Sequence, residues 1–166
     1  MAERPEMVTE MRYFLLGAEG SAGTLALSSE KKTKVSAHGQ GGVGKTTMAA
    51  AVVRDLAVRS AFERIGWVSV GQTPAVVELQ RVVFNQLTGA VMPVQDGATA
   101  GTQLGTLQAA CIGQRWLIVL DDVWEKEHEQ LLSCVDAASA SKLLVTTRIR
   151  YSYAALSVCH TIPPER

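Results

Sequence analysis

A chain of 166 residues, 47% of them hydrophobic, is long enough for one domain that buries roughly two-thirds of its unfolded surface. Sixteen basic residues balance sixteen acidic ones, so no net charge recruits nucleic acid or an anionic membrane surface. No stretch approaches the roughly twenty apolar residues of a membrane span, and the apolar run at residues 13–16 is too short for a signal peptide. The expectation is a soluble, cytoplasmic protein without nucleic-acid or membrane partners.

Residues 1–33 read as a polar leader, partly disordered, with Glu3, Glu6 and Glu10 near its start. Lys31, Lys32 and Lys34 read as a solvated approach to the first strand, which is predicted from Lys34 to His38 on the apolar pair Val35 and Ala37. That strand feeds the stretch Gly-Gln-Gly-Gly-Val-Gly-Lys-Thr-Thr, in which Gly39, Gly44, Lys45 and Thr46 satisfy the phosphate-loop pattern G-x-x-x-x-G-K-[ST]. Glycines let successive backbone N–H groups point into one concavity, and the following helix adds its unpaired N–H groups and positive dipole end. The candidate phosphate-binding residues are therefore Gly39, Gly41, Gly42, Val43, Gly44, Lys45, Thr46 and Thr47. Lys45 is placed to reach β- and γ-phosphates, and the Thr46 hydroxyl to ligate Mg²⁺. A flexible glycine turn is the bland alternative, and the flanking strand and helix weigh against it. The reading is a chain that binds a nucleoside diphosphate or triphosphate.

A helix is predicted over residues 46–59 and a strand over residues 65–70, Ile-Gly-Trp-Val-Ser-Val. Thr73 and Pro74 supply an N-cap and a first helical residue for a helix with apolar Val76, Leu79, Val83 and Leu87. Val77 and Phe84 widen its buried face. Residues 89–102, rich in glycine and small polar residues, read as a mobile loop. Leu104, Leu107 and Cys111 suggest a helix closed by Gly113. The continuous apolar run at residues 116–120 predicts a strand covered on both faces. A helix with Leu131, Leu132 and Val135, a strand at residues 143–147 and a weak last strand at residues 158–162 complete the pattern. Cys111, Cys134 and Cys159, odd in number and outside any metal-ligand spacing, read as reduced thiols. Strands alternating with helices imply an α/β fold, a parallel sheet with helices on both faces whose ligand sits beyond the strands' carboxyl ends.

Each further polar motif ends a strand. Leu117-Ile118-Val119-Leu120 runs into Asp121 and Asp122, and two adjacent carboxylates at the end of a buried strand are costly to keep charged without a cation. Beside a phosphate loop that cation is Mg²⁺, with Asp121 as its carboxylate and Asp122 as the catalytic group that orients or deprotonates the attacking water. An N-cap role accounts for one of the two acids, not both. The strand at residues 143–147 ends in Arg148, a candidate γ-phosphate sensor of the catalytic site through charge-assisted hydrogen bonds, against the plainer role of a surface salt-bridge partner. Arg150 reads as a solvated charge.

Together, GQGGVGKTT at residues 39–47, LIVLDDVW at 117–124 and KLLVTTR at 142–148 closely resemble the NB-ARC nucleotide-binding domain of plant disease-resistance proteins and apoptotic adaptor ATPases. FERIGWVSV at residues 62–70 resembles the same family's motif around its second strand. The resemblance implies a three-layer P-loop NTPase fold over residues 34–166, with strand order 5-1-4-3-2 and a catalytic strand beside the phosphate-loop strand. It further implies ADP at rest, ATP and Mg²⁺ when active, slow hydrolysis, a signalling role, and homo- or hetero-oligomers formed through the domain. By matching positions, Lys45 and Thr46 become phosphate and Mg²⁺ residues, Asp121 the metal carboxylate, Asp122 the catalytic one and Arg148 the sensor.

Departures accompany the match. The Gly-Arg-Glu-like element that helps hold adenine is degenerate here, Leu15-Leu16-Gly17-Ala18-Glu19, with Ala18 where the arginine stands. The sequence stops before the helical and winged-helix subdomains, which implies a truncated product with one wall of its pocket missing. A partitioning or arsenical-pump ATPase would carry a lysine where this chain has Gln40, and a transporter ATPase would carry a Leu-Ser-Gly-Gly-Gln element that is absent. A rival of another class is a non-hydrolysing interaction or decoy fragment that pairs with full-length relatives.

Overall fold

A computed structural model describes residues 5–17, 33–93, 96–135, 140–148 and 157–161, the last segment by its backbone alone. In chain order the elements are α1 (Pro5–Leu16), β1 (Lys34–His38), α2 (Lys45–Arg54), α3 (Leu56–Ala61), β2 (Arg64–Gly71), α4 (Val76–Thr88), α5 (Ala100–Cys111), β3 (Trp116–Val123), α6 (Lys126–Leu132), β4 (Lys142–Thr147) and β5 (Ser157–Thr161). The strands form one sheet in the order β2-β3-β4-β1-β5, and every pairing is parallel. This is the predicted order 5-1-4-3-2, read from the other edge.

Strand periodicity builds the three layers. Along β3, Leu117 and Val119 point into one apolar cluster with Met11, Leu15, Ala49, Val52 and Val58, from α1, α2 and α3. Ile118 and Leu120 point the other way, into a cluster with Val83, Leu87, Leu107 and Leu132, from α4, α5 and α6. Four consecutive apolar residues are thus what a parallel strand buried on both faces requires.

Several expectations are revised. The strand ending in Asp121 and Asp122 is not beside β1, because β4 lies between them and pairs with both. The helix predicted over residues 46–59 breaks at Asp55, which adopts φ −60° and ψ 130°. Its Oδ1 accepts the N–H groups of Ala57 at 2.9 Å and Val58 at 3.3 Å, while Oδ2 takes Arg12 at 3.1 Å. A side chain that caps a new helix competes with continuing the old one. The Arg12 guanidinium in turn holds the Asp55 carboxyl below the usual carboxylate range. Thr73 and Pro74 do not start α4. Ala75 is its cap residue, without a side-chain cap, and the helix begins where Val76 and Leu79 meet the core. The predicted loop is shorter than residues 89–102, since Thr99 caps α5 in a capping box with Thr102. The last helix ends at Leu132, short of Val135.

The leader segment contains α1, whose Met11 and Leu15 are buried against the sheet and α2. Lys34 is not solvated, as its ammonium pairs with Glu129 of α6 in a partly buried ion pair. Lys31, Lys32 and Arg150 lie outside the described residues, as do Ala18 and Glu19. Cys111 and Cys134 are buried and joined as a disulfide with Cα atoms 6.3 Å apart, against the expectation of reduced thiols. Packing of α5 and of the segment after α6 on one face of the sheet brings the two together. The Cys159 side chain falls outside the described residues.

Candidate functional site

The loop between β1 and α2 is shaped by its glycines. Gly42 and Gly44 have φ of +83° and +87°, a region that costs most side chains strain. The Gly39 N–H donates to the Thr147 carbonyl at 3.3 Å, which anchors the loop to the end of β4. α2 then starts with the Met48 N–H on the Gly44 carbonyl at 2.9 Å, leaving the helix's first N–H groups at the loop.

Lys45 is 7% exposed, and its Nζ donates to the Gly39 and Gln40 carbonyls, each at 2.8 Å. Burial first, and repulsion from Arg148 second, push its pKa below the ordinary lysine value, against the opposing pull of Asp122 and Asp121. Two cations therefore face one another across a polar cavity, an arrangement a bound anion would relieve.

At the end of β3, Asp121 is 5% exposed and accepts from two hydroxyls. Thr46 Oγ1 donates to its carboxylate at 2.9 and 3.1 Å, and Thr146 Oγ1 donates to Oδ1 at 2.5 Å. The same Thr146 hydroxyl accepts the Asp122 N–H at 2.9 Å, so one buried threonine of β4 positions both acids. Thr147 adds a second tie, its hydroxyl donating to the Val123 carbonyl at 2.7 Å. Between these ties the β3–β4 register shifts, and Asp122 takes φ +55°, the one positive φ at a non-glycine among the described residues. Such a conformation persists where its surroundings over-determine it, and it clusters at functional sites. Asp122 also receives the Trp124 Nε1–H on Oδ2 at 3.2 Å and lies 3.4 Å, through Oδ1, from Arg148 Nε.

These groups line a cavity of about 430 Å³ beyond the carboxyl ends of the strands. Gly41, Gly42, Gly44, Lys45 and Thr46 contribute from the loop and helix, Asp121 and Asp122 from β3, and Arg148 from the tip of β4. Three predicted phosphate-loop residues are not in its lining. Gly39 anchors the loop, Val43 packs on the α1–α3 core, and Thr47 is exposed on α2. Sequence reasoning missed Thr146, and also Ser69 and Gly71 at the end of β2, which stand opposite Asp121 and Val123 in register. A threonine pair sandwiched between a buried strand and a candidate arginine was the available signal for Thr146.

A parallel sheet covered on both faces, with a glycine loop delivering a buried lysine to strand-end carboxylates, defines a phosphate-loop nucleotide-binding domain. The chain belongs to the NB-ARC family of nucleotide-binding signalling domains, whose NB-ARC domain it matches over residues 21–160. It is 36% identical over 113 residues to Disease resistance RPP13-like protein 4 of Arabidopsis thaliana, covering 66% of this chain and 13% of that one. Disease resistance protein RPP8 of the same plant is 30% identical over 141 residues, 81% of this chain and 15% of its own. The Solanum demissum Putative late blight resistance protein homolog R1B-13 is 27% identical over 150 residues, 89% and 13%. The chain thus spans less than a sixth of the length of these curated relatives. Among the described residues no helix is long and apolar enough to cross a membrane.

Proposed function

We propose that this domain is an ADP- and ATP-binding switch with slow, Mg²⁺-dependent ATP hydrolysis, working in a cytoplasmic defence-signalling protein. The observation that carries the reading is Lys45, buried, bonded to its own loop and facing a second cation, Arg148, across the cavity. Polyphosphate is the ligand whose charge and reach suit that pair together with the loop's N–H groups. The disease-resistance names of the relatives support the defence role.

In this reading Lys45 meets the β- and γ-phosphates, and Arg148 meets the γ-phosphate. Thr46 and Asp121, hard oxygen donors already 2.9 Å apart, have the donor chemistry Mg²⁺ prefers. Mg²⁺ held there would supply positive charge to the phosphate oxygens during transfer. Asp122, aimed into the cavity by its unusual backbone, orients or deprotonates the attacking water. Oligomerisation with copies of itself or with relatives belongs to the same proposal.

Calorimetric titration with ADP, ATP and GDP, with and without Mg²⁺, tests it. The adenine nucleotides are expected to bind, and Lys45→Ala to lose at least ~1.5–3 kcal/mol of that affinity, the scale of a hydrogen bond to a charged group. Unchanged affinity in the variant, or no binding by the wild type, would remove the reading.

A further inference from the structure

Arg148 does not stand alone at the mouth of the cavity. Its guanidinium lies over the Trp124 ring, 4.7 Å from the centroid, and its Nε is 3.4 Å from Asp122 Oδ1. It also closes on the phosphate loop, since a Cβ at Gly41 would stand 2.9 Å from Nη1. Trp124 touches the other half of the pair as well, donating its Nε1–H to Asp122 Oδ2 at 3.2 Å. One indole therefore holds an acid by its edge and a base by its face.

The two groups it holds are the pair that the proposed function needs apart, one for the attacking water and one for the terminal phosphate. Their side chains are 38% and 44% exposed, so their mutual attraction is weak and solvent-screened. A phosphate oxygen offers Arg148 a stronger, charge-assisted partner. A diphosphate that ends at Lys45 leaves the pair standing, whereas a terminal phosphate competes for Arg148 directly. We propose that Trp124 is a positioning residue that keeps Asp122 and Arg148 in a resting pair, which a nucleoside triphosphate separates and a diphosphate does not. This inference rests on the reading of the cavity as a nucleotide site and adds to it how the third phosphate is sensed.

The chain has three tryptophans, so 5-fluorotryptophan labelling gives three fluorine resonances, and Trp124→Phe identifies the one from residue 124. ADP with Mg²⁺ and a non-hydrolysable ATP analogue with Mg²⁺ are added to the labelled chain, with binding of each followed by calorimetry on the same sample. The Trp124 resonance is expected to move with the analogue and to stay with ADP, and Arg148→Ala to abolish that difference. Equal movement with both ligands, or none with either while both bind, would overturn the inference and leave the nucleotide site intact. Absence of binding would overturn the site reading and this one with it. Trp124→Phe keeps the ring face and loses the N–H. It is expected to bind ADP as the wild type does and the ATP analogue about three- to tenfold more tightly, because the resting pair that the third phosphate must separate has lost one hydrogen bond. A variant that binds the analogue no more tightly than the wild type would also overturn it.

Discussion

The middle of the sheet and its carboxyl rim are built from the same strands to opposite standards. In the middle of β3, Leu117, Ile118, Val119 and Leu120 are fully buried in the two apolar clusters. Two residues further on, Asp122 sits at φ +55° and the ladder to β4 slips. Across from it, Lys45 is buried in repulsion with Arg148. The middle is optimised for folding. The rim carries a buried charge and a positive φ that the middle avoids, the relation the proposed site would have to its scaffold.

Substitutions in the two regions should therefore fail in different ways. The largest loss of stability is expected from Ile118→Ala, about 2–5 kcal/mol for a truncated, fully buried isoleucine. Denaturant unfolding would show it, while the fraction that remains folded should bind nucleotide normally. Asp122→Asn should do the reverse. Asparagine tolerates the same positive φ, so stability and ADP affinity are retained while hydrolysis slows by roughly 10²-fold or more, the range for losing a general base. Steady hydrolysis at the wild-type rate would take Asp122 out of its role. The smallest effect is a pH dependence. Lys45 has its folded pKa lowered, so the unfolded chain binds more protons between that value and the usual 10.5. Its charge costs stability below that window, and the cost is released as pH rises through it. The stability difference between wild type and Lys45→Met should thus shrink or turn in favour of the wild type toward alkaline pH. A pH-independent difference would count against a strained lysine.

Legibility in the sequence follows the same division. Apolar runs alone gave β1, β3 and β4 to within a few residues, because burial on both faces leaves no ambiguity about what the strand is for. The placement of the loop and of both acids at strand ends was likewise readable, since each motif directly follows the apolar run of its own strand. What needed the structure were contacts made by distant partners. Asp55 breaks a helix with the help of Arg12, 43 residues earlier, and Lys34 is paired with Glu129, 95 residues later. Thr146 reaches the Asp121 carboxylate and the Asp122 N–H only because β4 lies between β1 and β3, an adjacency visible in register and not in spacing. Trp124 could be quoted as part of a motif, but its grip on Asp122 and Arg148 is a property of the folded rim.

Thermal unfolding of wild type and Lys45→Met, each with and without ADP and Mg²⁺, tests the division most directly. The account predicts that the free variant is no less stable than the wild type. Ligand at a hundredfold over Kd should stabilise the wild type by about 2.7 kcal/mol, several degrees for a domain of this size, and the variant far less. A wild type that gains nothing from the ligand, or a variant that gains as much, would contradict it.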